Sequence, residues 1–106
     1  MTGIIKAIST SKEKGMRKTN VEKAMLKRDF GILGDAHAGT EKRQVSLLAQ
    51  ESIKKMQAKG LKVKAGDFAE NITTEGIDLL SLKPGDKVRA GEDVILEITQ
   101  IGKECH

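Results

Sequence analysis

Apolar and polar positions alternate in short bursts along this chain, and one stretch alone keeps a helical period. Ile4, Ile5, Ala7 and Ile8 make a short, β-branched apolar segment, which predicts a strand over residues 2–10. Ser9 to Asn20 is polar, rich in Lys and holds Gly15, so it reads as an exposed loop. Val21 to Arg28 interleaves Val21, Ala24 and Leu26 with Glu22, Lys23 and Lys27. Helix and strand both fit that pattern, and a strand is the expectation. Phe30 to Gly39 is punctuated by Gly31, Gly34 and Gly39, which forbids a regular helix. Gln44 to Leu48 predicts a short strand.

The helix falls at Ala49 to Lys59. Ala49, Ile53 and Met56 share a face, Glu51 and Lys55 stand at i,i+4, and Gly60 supplies a C-terminal stop. Residues 66–74 then read as a loop entering a strand. Leu79 to Leu82 leads into the turn Lys83-Pro84-Gly85-Asp86. Two strands follow, Lys87 to Ala90 and Val94 to Ile101, joined by Gly91-Glu92-Asp93. Many short strands with one helix predict a mainly β protein of the α+β class, a small β-barrel with a helical insertion. With 106 residues and no repeat or linker, the chain is expected to be one domain over residues 1–106.

Composition narrows the function classes. No apolar run approaches the ~20 residues of a membrane span, and the apolar part of the N-terminus is too short for a secretory signal. Cys105 is the single cysteine, which excludes an intrachain disulfide and makes a reducing, cytoplasmic setting the expectation. Phe30 and Phe68 are the two aromatic residues, so there is no aromatic set on which to stack single-stranded bases, and a nucleic-acid partner is not expected. The core must come from Ile, Leu, Val, Met and Ala. Residues 1–28 hold eight basic side chains against two acidic ones, while the whole chain is only +4. That N-terminal excess is either a solvated Lys-rich face or a positive rim that attracts an anion such as phosphate.

A few side chains could carry chemistry. Cys105 is the one thiol; Lys103 and His106 favour its thiolate and Glu104 opposes it, although a cysteine near a chain end can also be incidental. Asp35 and His37 form an Asp-x-His in the glycine-rich stretch, which can be a metal half-site, an oriented base or a loop hydrogen bond. Arg43 offers the planar fork that suits a phosphate or carboxylate, or a surface ion pair with Glu41. Asn71, at the entry to a strand, can hold a ligand edge or satisfy a turn.

Taken in order, five segments are more specific than any one of them: Gly34-Asp35-Ala36-His37-Ala38-Gly39, Arg43-Gln44-Val45-Ser46-Leu47-Leu48, Gly66-Asp67-Phe68-Ala69-Glu70-Asn71-Ile72, Leu82-Lys83-Pro84-Gly85-Asp86 and the run from Ile98 to His106. This ordered set closely resembles the MOSC domain family, named for the C-terminal domain of molybdenum cofactor sulfurase, and most of all its small stand-alone bacterial members. The resemblance implies a distorted β-barrel and a role in molybdenum-cofactor metabolism. It implies that Cys105 corresponds to the family's cysteine, which carries sulfur as a persulfide received from a pyridoxal-phosphate cysteine desulfurase, or else ligates molybdenum. It further implies that Asp35, His37, Arg43 and Asn71 line a cofactor pocket. A molybdenum-cofactor-dependent reductase of N-hydroxylated compounds is the alternative activity, and a non-catalytic, partner-binding subunit is a third reading. The partners implied are the desulfurase or a molybdopterin-biosynthesis protein. Family members of this type continue beyond the cysteine, whereas this chain stops at His106. The expectation is therefore an incomplete barrel with an open strand edge near Ile95 to Ile101, at which a second copy could pair.

Overall fold

The apolar segment at the start of the chain forms β1 (Ile4–Thr10), the longest strand in a computed structural model that describes residues 3–13, 16–28, 30–39, 44–91 and 94–99. β1 pairs antiparallel with β2 (Thr19–Val21), with Ile8 opposite Val21 and Thr10 opposite Thr19. After β3 (Leu26–Lys27) and β4 (Gly31–Ile32), which pair only with each other, the chain reaches β5 (Leu47–Ala49). Helix α1 (Gln50–Ala58) then carries it over to β6 (Ile72–Glu75). β5 and β6 are parallel, and parallel neighbours need such a crossover. β6 also pairs antiparallel with β1, so the main sheet runs β2-β1-β6-β5. After a 3-10 turn at Leu79–Ser81, β7 (Lys87–Ala90) and β8 (Val94–Glu97) make a second two-stranded ribbon.

Helix α1 ends where the sequence signal puts it. Gly60 has φ +92, and its N–H reaches Gln57 O at 3.0 Å while Leu61 N–H reaches Met56 O at 3.2 Å. These two bonds form a Schellman stop, which needs a left-handed residue at that position. Ile53 is fully buried beneath the sheet, as its place on the apolar face predicts. Glu51 turns to the Gly76 N–H at 2.9 Å, and the ion pairs of the described residues do not include Glu51–Lys55.

The core is small and partly polar. Its buried apolar residues are Ile32, Ile53, Ile72 and Ile98, and beside them lie Ser9, Asn71, Thr73 and Thr74. Ile4 and Ile5, apolar residues of the predicted strand, are 59% and 41% exposed. They sit at the outer end of β1, and a register shift between Ile5 and Ala7 separates them from the better covered half of the strand.

The mainly β architecture with one helix holds. Its strands do not close into a barrel among the described residues: β2 and β5, three residues each, are free sheet edges, and the two ribbons are separate from the sheet. The predicted strand over 21–28 is split, since Val21 ends β2 in the main sheet while Leu26 and Lys27 belong to a ribbon. The last predicted strand ends at Glu97. Ile98 continues only a turn contact, giving its N–H to Asp86 O and accepting from Gly85 N–H, both at 2.7 Å. Residues 100 and 101 lie outside the described residues.

Candidate functional site

The glycine-punctuated stretch folds as a closed loop. Gly39 N–H returns to Phe30 O at 2.6 Å, and the Phe30 ring packs so close that a Cβ on Gly39 would lie 3.1 Å from its Cε1. Inside the loop Asp35 N–H reaches Ile32 O and Ala38 N–H reaches Asp35 O, each at 3.1 Å. Ala36 N–H donates to Ser11 O at 2.8 Å, which docks the Asp-x-His against the end of β1.

A lysine from the polar N-terminal stretch completes the arrangement. The Lys18 ammonium lies 2.7 Å from Asp35 Oδ1, 3.2 Å from Ser11 Oγ and 3.2 Å from His37 Nδ1. Both members of the Lys18–Asp35 pair have fully buried side chains, while the His37 side chain is 24% exposed. His37 is thus the solvent-reaching tip of a buried ion pair. The Lys18 backbone is held by its N–H to Gly66 O at 2.8 Å. Gly66 has φ +95, and any Cβ there would collide with the Lys18 carbonyl oxygen, so this contact needs glycine. The buried Glu70 carboxylate keeps that turn in shape, accepting from Gly66 N–H at 3.0 Å, Phe68 N–H at 3.2 Å and the Thr73 hydroxyl at 3.1 Å.

Burial alone pushes the Asp35 carboxyl up, and it is the largest single influence. Hydrogen bonds from Lys18, Ser11 N–H, His37 N–H and Asn71 together outweigh it and hold the group below its ordinary value of 3.8. A carboxylate with a depressed folded-state pKa stabilises the fold above its unfolded value and loses that stabilisation as the pH falls through the folded one. The urea midpoint should therefore hold above about pH 5 and drop below about pH 4. Asp35→Asn should flatten that acid slope, and an unchanged slope would remove Asp35 as its source.

Asn71 stands directly behind this cluster and is 1% exposed. Its amide donates to Ser9 O at 3.0 Å, and its Oδ1 accepts Ser46 N–H at 3.1 Å and the Ser46 hydroxyl at 3.3 Å. Of the residues singled out from sequence, Asp35 and His37 share this cluster, and the buried Asn71 reaches it through a hydrogen bond to Asp35. Arg43 and Cys105 lie outside the described residues. Lys18, Ser11 and Glu70 escaped the sequence reading. Lys18 was one of eight basic residues in the N-terminal stretch, and nothing in its neighbours Arg17 and Thr19 marks it for burial.

The donors present select among the roles open to an Asp-x-His. Asp35 Oδ1 serves Lys18 and Ser11 N–H, and Oδ2 takes the His37 N–H at 3.1 Å. Among the described residues no group of three or more His, Cys, Asp or Glu is placed to hold a metal ion. Among the described residues the arrangement is an oriented imidazole on a buried ion pair.

A family model, the MOSC domain, matches residues 34–106. No curated protein and no solved structure matches the chain. The matched span opens one residue before Asp35 and takes in His37, Arg43, Asn71 and Cys105, while Lys18 precedes it. MOSC domains are associated with molybdenum-cofactor-related proteins.

Proposed function

Since the chain belongs to the MOSC domain family, we propose that it carries sulfur for the molybdenum cofactor as a persulfide on Cys105. The observation that supports this reading is the solvent-reaching His37 on the buried Lys18–Asp35 pair, within a segment that opens the family match. Such an imidazole can hydrogen-bond an anionic sulfur or phosphate.

The sulfur would come from the persulfide of a cysteine desulfurase. The Cys105 thiolate attacks the outer sulfur; a new S–S bond forms to Cys105, the donor's S–S bond breaks, and the donor cysteine leaves as thiolate. The hydrogen on the transferred sulfur goes with it, so no outside oxidant or reductant is required. Cys105 is the one cysteine of the chain, so no second thiol can resolve the persulfide into an intrachain disulfide. A reducing, cytoplasmic setting would keep the Cys105 thiol free to accept the sulfur. Where the molybdenum cofactor is itself held, Cys105 offers the soft ligand that molybdenum accepts, and His37 and Arg43 offer donors to the anionic groups of the pterin. The bound metal would supply atom-transfer chemistry.

Mass spectrometry of the native chain, after incubation with a cysteine desulfurase and cysteine, tests this. One sulfur, about 32 Da, should appear on Cys105, disappear on reduction with thiol and be absent from Cys105→Ser. No added mass on the wild-type chain would remove the sulfur-carrier reading.

A further inference from the structure

We propose that Lys18 sets the proton of His37, holding Nδ1 as an acceptor so that the neutral ring carries its hydrogen on Nε2. The inference deepens the sulfur-carrier reading and rests on it only for the identity of the ligand.

The argument is a count of donors and acceptors. A lysine ammonium has three hydrogens and no acceptor. Among the described residues three acceptors stand within reach of Lys18 Nζ: Asp35 Oδ1 at 2.7 Å, Ser11 Oγ at 3.2 Å and His37 Nδ1 at 3.2 Å. Three hydrogens meet three acceptors when Nδ1 is unprotonated. A hydrogen on Nδ1 would set two donors against each other at 3.2 Å. It could not turn to Asp35 instead, since Oδ2 is 3.8 Å away and already accepts the His37 backbone N–H. A neutral Lys18 amine could accept from Nδ1, but that would leave the Asp35 carboxylate in a fully buried position without its cation.

The consequence is chemical. With Nδ1 accepting from Lys18, the ring's hydrogen sits on Nε2, and in that state Nε2 cannot take up a proton as a base. Whatever meets that edge must be an acceptor, and among ligands a phosphate oxygen, a thiolate or a persulfide qualifies. Lys18 is accordingly a positioning residue, acting through His37 and itself out of reach of any ligand.

Long-range proton–nitrogen correlation spectra of the full-length, nitrogen-15-labelled chain at mildly alkaline pH decide the matter. The chain has two histidines, so His106 serves as an internal comparison. His37 should show an unprotonated Nδ1 and a protonated Nε2. A protonated Nδ1, two protonated nitrogens, or the tautomer mixture of a free imidazole would overturn the proposal. In Lys18→Met the His37 pattern should move toward a mixture, and an unchanged pattern would overturn the part assigned to Lys18. If that variant does not fold, Lys18→Met combined with Asp35→Asn removes both buried charges and is read in the same way. This readout needs no sulfur on Cys105. A persulfide that fails to form beside an intact tautomer would sink the sulfur-carrier reading alone.

Discussion

Lys18→Met should lower the free energy of unfolding by about 3–5 kcal/mol, the largest effect expected of any single replacement here. The two side chains of the Lys18–Asp35 pair are both fully buried, 2.7 Å apart. Removing the ammonium leaves a carboxylate in the interior with backbone N–H groups but no cation, and the uncompensated charge sets the cost. Met fills much the same space as Lys, so a cavity contributes little. The double variant Lys18→Met, Asp35→Asn should recover a large part of the loss, because it removes the stranded charge as well. Urea unfolding of the wild type, both single variants and the double variant closes the cycle. A loss below about 1 kcal/mol for Lys18→Met would mean that the pair behaves like one in solvent, contrary to its burial.

Asn71→Ala should cost about 3 kcal/mol, and for a different reason. One amide ties together two distant segments: Nδ2 donates to Ser9 O at the end of β1, and Oδ1 takes both donors of Ser46 just before β5. Truncation leaves the Ser9 carbonyl and the Ser46 N–H without their side-chain partner, each at a cost of about 1–3 kcal/mol when buried. Ser46→Ala removes only a hydroxyl and should cost about 1 kcal/mol by the same reasoning. Thermal unfolding of the two variants should rank them in that order. Equal midpoints would show that the Asn71 amide is not the tie between β1 and the segment before β5.

The helix and the turns were legible in the sequence because each depends on neighbours in the chain. Ile53 on an apolar face, Gly60 as a left-handed stop, and Pro84-Gly85 before a ribbon are local statements, and the structure keeps all three. The family, too, was legible, since ordered motifs need no coordinates. Ile4 and Ile5 show the limit of that reading. Their apolar character marks a strand correctly, yet whether they are covered depends on the register of β1 against β6. Likewise Val21 and Leu26 look like one strand until two separate sheets claim them.

Asp35 and His37 could be picked out as a pair two residues apart, but what they do could not. A carboxylate that ligates a metal and one that meets a buried ammonium have the same sequence. Lys18 becomes the partner of Asp35 only because Gly66, far along the chain, accepts its N–H and leaves room for its carbonyl, and because Ser11 docks the loop. The sequence by itself determined the strand-rich class, the helix, the loop that holds Asp35 and His37, and the MOSC membership. The tertiary structure alone decided that Lys18 is buried and which way His37 faces, because burial and ion pairing arise between segments that periodicity cannot bring together.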